Sequence, residues 1–205
     1  VVKLDKSNKI RDFFYNRLMF PITNEYGKIV GFGGRVLDNS NPKYINSPES
    51  DFFKKRNILY NLFNAKQTIR SKKNMLICEG YMDVISLYDK NIKTAVAPLG
   101  TSLTESHLIL SWKYVGKPTL MFDGDTSGLK ASFKSAVMSL PYLTPSKLLQ
   151  FVILPNQYDP DTYINEFSMN EFAKYLRNPL SIVDFIFDES SKSIDLSKSD
   201  NKVIF

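Results

Sequence analysis

Three short acidic clusters, each following an apolar run, are the residues of this chain best suited to chemistry. Glu79-Gly80 follows Met75-Leu76-Ile77-Cys78, Asp123-Gly124-Asp125 follows Thr119-Leu120-Met121-Phe122, and Asp159-Pro160-Asp161 follows the run over 148–154. Carboxylates brought together from separate segments repel, so the group must take up protons, stay wet or bind a cation. Magnesium resolves the conflict, because it favours hard oxygen ligands and keeps coordination sites for phosphate. In an extended segment residues i and i+2 point the same way, which aims Asp123 and Asp125 together, with Gly124 allowing a tight turn between them. Plainer roles compete. Asp-Gly-Asp is also an ordinary polar turn, and Asp161 suits the cap of a helix over 162–167 as well as it suits a metal. Asp83, one helical turn beyond Glu79, fits either a supporting place beside the metal or an acid at a helix N-terminus.

The elements that must position these acids are legible. The runs over 75–79, 94–97, 119–122 and 148–154 are short, apolar and closed by turn residues, the pattern of strands buried on both faces. Helices are expected between and after them, over 82–90, 103–112, 128–140 and 162–167, with Ser102 and Glu105 at the spacing of a capping box. Alternation of this kind implies an α/β fold, a mostly parallel four-stranded sheet flanked by helices. The acids then lie at the carboxyl ends of the strands, where open α/β sheets bind ligands.

A small basic α+β subdomain over 1–73 is expected before this unit, which spans 74–165. Its parts are a short helix over 10–15, a hairpin of 18–22 and 29–37 around Asn24-Glu25-Tyr26-Gly27, a loop over 39–48 and a helix over 59–71. Gly31, Gly33 and Gly34 imply a bulge or a close approach to the backbone by another chain. Helical patches over 170–176 and 180–188, a Ser/Lys/Asp-rich stretch and the apolar Val203-Ile204-Phe205 read as the start of a helical region over 166–205.

Charge is divided along the chain. Of 27 Lys+Arg and 21 Asp+Glu, residues 1–73 carry 15 and 6, a balance of +9, which leaves 12 and 15, or −3, for the rest. One part suits a polyanion and the other cations, although a chance asymmetry of a solvated surface has the same look. Lys43-Tyr44 and Phe52-Phe53-Lys54-Lys55-Arg56 interleave cations with rings, as single-stranded nucleic acid requires. The same rings also suit a core. One Cys and one His support no disulfide and no zinc cage. His107 is expected to be structural. No run is long enough to cross a bilayer, and a cytoplasmic, reducing setting is the expectation. The chain opens on Val, which suggests a piece of a longer protein.

Glu79-Gly80-Tyr81-Met82-Asp83-Val84 and Phe122-Asp123-Gly124-Asp125-Thr126-Ser127-Gly128 resemble the two signature segments of the Toprim domain. Met19-Phe20-Pro21-Ile22, Gly31-Phe32-Gly33-Gly34-Arg35, the stretch from Pro42 to Glu49, Pro98-Leu99-Gly100-Thr101 and Asp159-Pro160-Asp161 look like the bacterial replicative (DnaG-type) primase. The resemblance runs over nearly the whole chain, weakest before Arg11 and after Asp188.

It implies a DNA-directed RNA polymerase core that makes short RNA primers on single-stranded DNA from ribonucleoside triphosphates. Magnesium or manganese, more than one ion, is implied, and no zinc in this segment. Asp123 and Asp125 are implied as metal ligands, Asp159 and Asp161 as sharing that work, and Glu79 as the essential acid, either a ligand or in proton transfer. Arg17, Arg35, Lys43 and Lys55 match basic positions of the nucleic-acid and nucleotide face. The family's zinc-binding module and the domain that meets the replicative helicase lie outside this chain. Phe13, Tyr15 and Asn57 depart from the pattern. A Toprim nuclease or topoisomerase, and a binding module without catalysis, are the competing readings.

Overall fold

The computed structural model describes residues 2–4, 8–38 and 40–192. The 193–202 stretch and Val203-Ile204-Phe205 lie outside the described residues.

The chain opens with β1 (Val2–Leu4) and β2 (Ile10–Asp12), an antiparallel pair. β2 stands where a helix over 10–15 is expected, because pairing with β1 supplies a partner that the local pattern does not announce. β3 (Arg17–Thr23), β4 (Ile29–Val36) and β5 (Tyr44–Asn46) form a three-stranded antiparallel sheet in that order. The expected hairpin is present, with Gly27 at φ 84° in its turn. The expected loop over 39–48 contains β5, which its Asn, Pro and Ser content conceals. Gly33 and Gly34 pair in regular register, and the irregularity lies beside Gly31, where Ile22 pairs with Gly31 and Thr23 with Ile29, leaving Val30 as the extra residue. The close approach there comes from this chain's own rings: a Cβ on Gly31 would meet Phe53 at 3.0 Å, and one on Gly34 would meet Phe14 at 2.7 Å.

After α1 (Leu62–Lys72) come β6 (Leu76–Ile77), α2 (Tyr81–Asp89), β7 (Ala95–Val96), α3 (Glu105–Trp112), β8 (Thr119–Leu120), α4 (Thr126–Ser139) and β9 (Gln150–Phe151). The four expected strands are all present and mutually parallel. α5 (Pro160–Glu166) and α6 (Met169–Arg177) precede a fifth strand, β10 (Leu180–Ser181), antiparallel to β9 at one edge, and then α7 (Ile182–Ser191). The sheet order is β10-β9-β8-β6-β7.

Alternation along these short strands serves both faces. Ile77, Val96, Leu120 and Phe151 pack with α1, α3, α4 and α7, while Leu76, Ala95, Met121 and Val152 pack with α2, α5 and α6. Phe185 of α7 stacks on Phe151 at 4.2 Å. Burying apolar strands from both sides is what commits them to the middle of three layers.

The two sheets are tied together around Tyr81. Its ring touches those of Phe20, Tyr44 and Tyr60 at 4.9, 5.3 and 5.6 Å. Tyr60 exchanges backbone bonds with Ala97, and Asn46 Nδ2 donates to Leu99 O at 3.2 Å. The hairpin tip is held too, as Tyr114 donates to Glu25 Oε2 at 2.9 Å and Lys66 to the Glu25 carbonyl at 2.9 Å. Among the described residues no helix is long and apolar enough to cross a membrane.

Candidate active site

The carboxyl ends of β6 and β8 and the segment after β9 converge on one rim. A cleft of about 510 Å³ runs along it, lined by Glu79, Asp83, Asp123, Asp159 and Asp161 together with Arg35, Lys43, Tyr44 and Asn46.

Two glycines make the close packing of the rim possible. A Cβ on Gly124 would lie 2.3 Å from the carbonyl oxygen of Pro155, and one on Gly128 would lie 2.1 Å from that of Asp123. Gly124 also donates to Tyr158 O at 2.8 Å. It is needed for this contact with the chain after β9, rather than for the tight turn that the sequence suggests.

Several of the acids also hold the backbone. Asp125 is the N-cap of α4 and accepts from Gly128 N–H at 2.8 Å. Asp159, not Asp161, caps α5, accepting from Thr162 N–H at 2.6 Å. Asp161 lies in the first turn of α5 and accepts from the Ser86 hydroxyl of α2 and from Asn165 Nδ2. Asp83, only 7% exposed, accepts from Gly80 N–H at 2.9 Å at the start of α2. Each bond uses part of a carboxylate that has about four lone-pair sites, so acceptor capacity remains on each of these side chains.

The electrostatics record the crowding. Burial pushes the Asp123 carboxyl up to about 7, and the charges of Glu79, Asp159 and Asp125 add to the rise. Burial also carries Asp83 to about 7, against the Gly80 bond and with the help of Asp123 and Asp159. Glu79 is raised, first by loss of solvent, with Asp125 contributing and an Asp123 backbone bond opposing. Glu79, Asp123 and Asp125 therefore lie close enough to feel one another.

Among the described residues no three His, Cys, Asp or Glu side chains form a ready-made metal cage. The donor set still fits magnesium, which is commonly held by one or two carboxylates together with substrate phosphate. Hard oxygens short of positive charge are the chemistry that such an ion needs.

The basic residues divide. Arg35 lies 5.6 Å and Lys43 5.8 Å from the Tyr44 ring, and both line the same cleft as the acids. Arg17 bonds the carbonyls of Gly34, Pro42 and Lys43 and so braces the segment that carries Lys43. Lys55 lies off the cleft, its N–H bonded to Glu49 Oε1 and its carbonyl to His107 Nε2. Of the neighbouring rings, Phe53 is core at 1% exposure and Phe52 stands in solvent at 84%.

The expected capping box of Ser102 and Glu105 is displaced by two residues. Thr104 caps α3 and His107 closes the box, which makes the histidine structural and buried. Tyr44, for which the sequence suggests a nucleic-acid contact, and Gly100 line the cleft, and so do Asn46 and Tyr81, for which it suggests no role of their own. The alternation of Tyr44 and Asn46 was the available signal, hidden inside a stretch that reads as loop.

This is the architecture of a Toprim-like domain joined to a basic antiparallel sheet. Residues 1–66 match the family model of the DNA primase catalytic core, N-terminal domain, and residues 76–164 match the Toprim-like model. The chain is 41% identical over 202 residues to the DNA primase of Buchnera aphidicola, covering 98% of this chain and 35% of that one. It is 39% identical over 191 residues to that of Escherichia coli, covering 93% and 33%. The solved DnaG primase catalytic domain bound to single-stranded DNA superposes with a TM-score of 0.91 at 37% identity, covering 98% of this chain and 65% of that one. A primase domain from Pseudomonas aeruginosa gives 0.92 at 34% identity, covering 98% and 64%. The chain belongs to the bacterial DnaG-type primase family, as a segment of its RNA polymerase core. It spans about a third of the length of these curated relatives and about two thirds of the solved catalytic domains.

Proposed function

We propose that this segment is the nucleotide- and metal-holding part of a primase, an RNA polymerase that makes short primers on single-stranded DNA during replication. The observation that carries the reading is a single cleft lined both by carboxylates and by Arg35 and Lys43. A polyphosphate with bound cations is a ligand that satisfies both sets of charges at once.

In this reading Glu79, Asp123 and Asp125 form the catalytic group, with Asp159 and Asp161 as further oxygen donors and Asp83 in support. Magnesium or manganese, more than one ion, would be held there and would stabilise the attacking and leaving oxygens of phosphoryl transfer. Arg35 and Lys43 hold the triphosphate against the acidic rim. Arg17 acts through the Pro42–Lys43 backbone that it braces. Lys55, away from the cleft, suits template phosphates. Glu79, with its carboxyl raised, can accept the proton of the attacking primer hydroxyl. The division at 73/74 and 165/166, a cytoplasmic setting and a link to the replicative helicase through a domain outside this chain belong to the same reading.

The test is primer synthesis by a protein that contains this segment within its full core, given single-stranded template, ribonucleoside triphosphates and magnesium. Labelled RNA supports the reading. Nicked DNA without RNA would favour a nuclease, and neither product would favour a binding module.

A further inference from the structure

The basic run Lys54-Lys55-Arg56 is gripped by the helix that starts beside it. Its backbone forms one short 3-10 turn over Lys55–Asn57, a form with poor hydrogen-bond geometry of its own. Phe53 and Ile58, both core, anchor the two ends. Between them Lys54 and Arg56 are exposed and Lys55 is half-buried. Among the described residues no acid pairs with these three side chains. The carbonyls behind them are taken up by the start of α3. His107 Nε2 lies 2.9 Å from Lys55 O, and the Thr104 hydroxyl donates to Arg56 O at 2.9 Å. The partners fix the tautomer of the imidazole. Thr104 N–H can only donate, and it meets Nδ1 at 3.2 Å, while Lys55 O can only accept, so the proton sits on Nε2. Burial lowers the pKa of this fully buried ring and keeps it neutral. One side chain therefore does two separable things: Nδ1 helps to cap α3, and Nε2 grips the basic turn.

We propose that His107, with Thr104, is a positioning residue for nucleic-acid binding: by gripping the Lys55 and Arg56 carbonyls it holds the basic turn in the form that meets the phosphates of single-stranded DNA. Three cations in a row repel one another, and a loose loop would spread them. Ordering such a loop at the moment of binding opposes affinity, and a loop ordered beforehand escapes that cost. Contacts to phosphate also set where a protein sits on the strand, so their spacing matters as well as their charge. α3 packs on the parallel sheet through Leu108 and Leu110. The two grips thus tie the basic turn to the unit that carries the acidic rim. The inference rests on the template reading of Lys55 given above and adds what holds that residue in place.

The experiment is titration of a labelled single-stranded DNA oligonucleotide with the full chain at several salt concentrations, beside thermal melting. His107→Asn puts an amide oxygen where Nδ1 stands, so it keeps the cap and loses the grip on Lys55 O. His107→Gln puts an amide N–H where Nε2 stands, so it keeps the grip and loses that part of the cap. His107→Gln should bind within about twofold of the parent and with the parent's salt slope, whatever its Tm. His107→Asn should melt like the parent, bind about three- to tenfold more weakly and lose about one from the salt slope of log K. Thr104→Gly keeps a serviceable N-cap and removes the donor to Arg56 O, so it should lower the slope too, independently of how the histidine variants fold. A histidine that only caps predicts the reverse order, with His107→Asn like the parent and His107→Gln damaged. That order, equal loss in the two histidine variants, or an unchanged slope in both His107→Asn and Thr104→Gly overturns the proposal. No saturable binding by the parent, or a slope that Lys55→Ala leaves unchanged, overturns the template reading of Lys55 and this inference with it.

Discussion

Replacing Asp83 by Asn should stabilise the protein at alkaline pH in the absence of divalent ions, and the gain should shrink toward acid. Asp83 is buried at the start of α2, with its carboxyl raised from 3.8 to about 7. The folded state therefore binds more protons than the unfolded state between about pH 4 and pH 7, and stability falls as pH rises through that window. At about 1.36 kcal/mol per pH interval, the cost of the ionised group is about 1.5 kcal/mol at pH 5 and about 4 kcal/mol at pH 8. The amide keeps an acceptor for Gly80 N–H and has no charge to bury. Any fixed cost of the exchange cancels when the two proteins are compared across pH. The gap between variant and parent should therefore widen by about 2–3 kcal/mol from pH 5 to pH 8, or about 5–10 °C in Tm for a chain of this size. The assay is thermal melting in a chelator from pH 5 to pH 9. A gap that stays constant, or that grows toward acid, would refute the claim that this carboxyl is held up by burial among like charges.

That prediction depends on features that a sequence shows unequally. The four parallel strands and the acids behind them were legible because buried strands leave short apolar runs with abrupt ends. The clustering of Glu79, Asp123 and Asp125 followed from topology alone. What Asp125 and Asp159 do for the backbone was less visible, since an N-cap and a metal ligand call for the same residue types. β5 is hidden in the sequence because its three residues sit among Asn, Pro and Ser and their partners on β4 lie about ten positions away. β10 is two residues long and owes its existence to the edge of β9. The helix expected over 10–15 is partly a strand because β1 is there to receive it.

Other consequences follow from the same geometry. Asp125→Asn should abolish primer synthesis in a protein containing the full core while moving Tm by no more than about 2 °C, because Asn caps α4 as well as Asp does. A large loss of Tm would mean that the carboxylate is structural first. Lys43→Ala should weaken binding to single-stranded DNA or nucleotide and lower the salt slope of log K by about one, read from titrations at several salt concentrations. An unchanged slope would remove Lys43 from any phosphate contact. Gly128→Ala should destabilise by about 1–3 kcal/mol in urea, since its Cβ would enter the space of the Asp123 carbonyl. A neutral result would mean that the rim tolerates movement there.

The acidic rim itself is tested most directly by isothermal titration with manganese near pH 7, repeated in two buffers of different ionisation enthalpy. The expected result is saturable binding with release of protons, because Asp123 and Asp83 are partly protonated there and a cation drives the protons off. Binding should be lost in Asp123→Asn. Saturable binding that survives Asp123→Asn, or no saturable binding in the parent, would contradict the account.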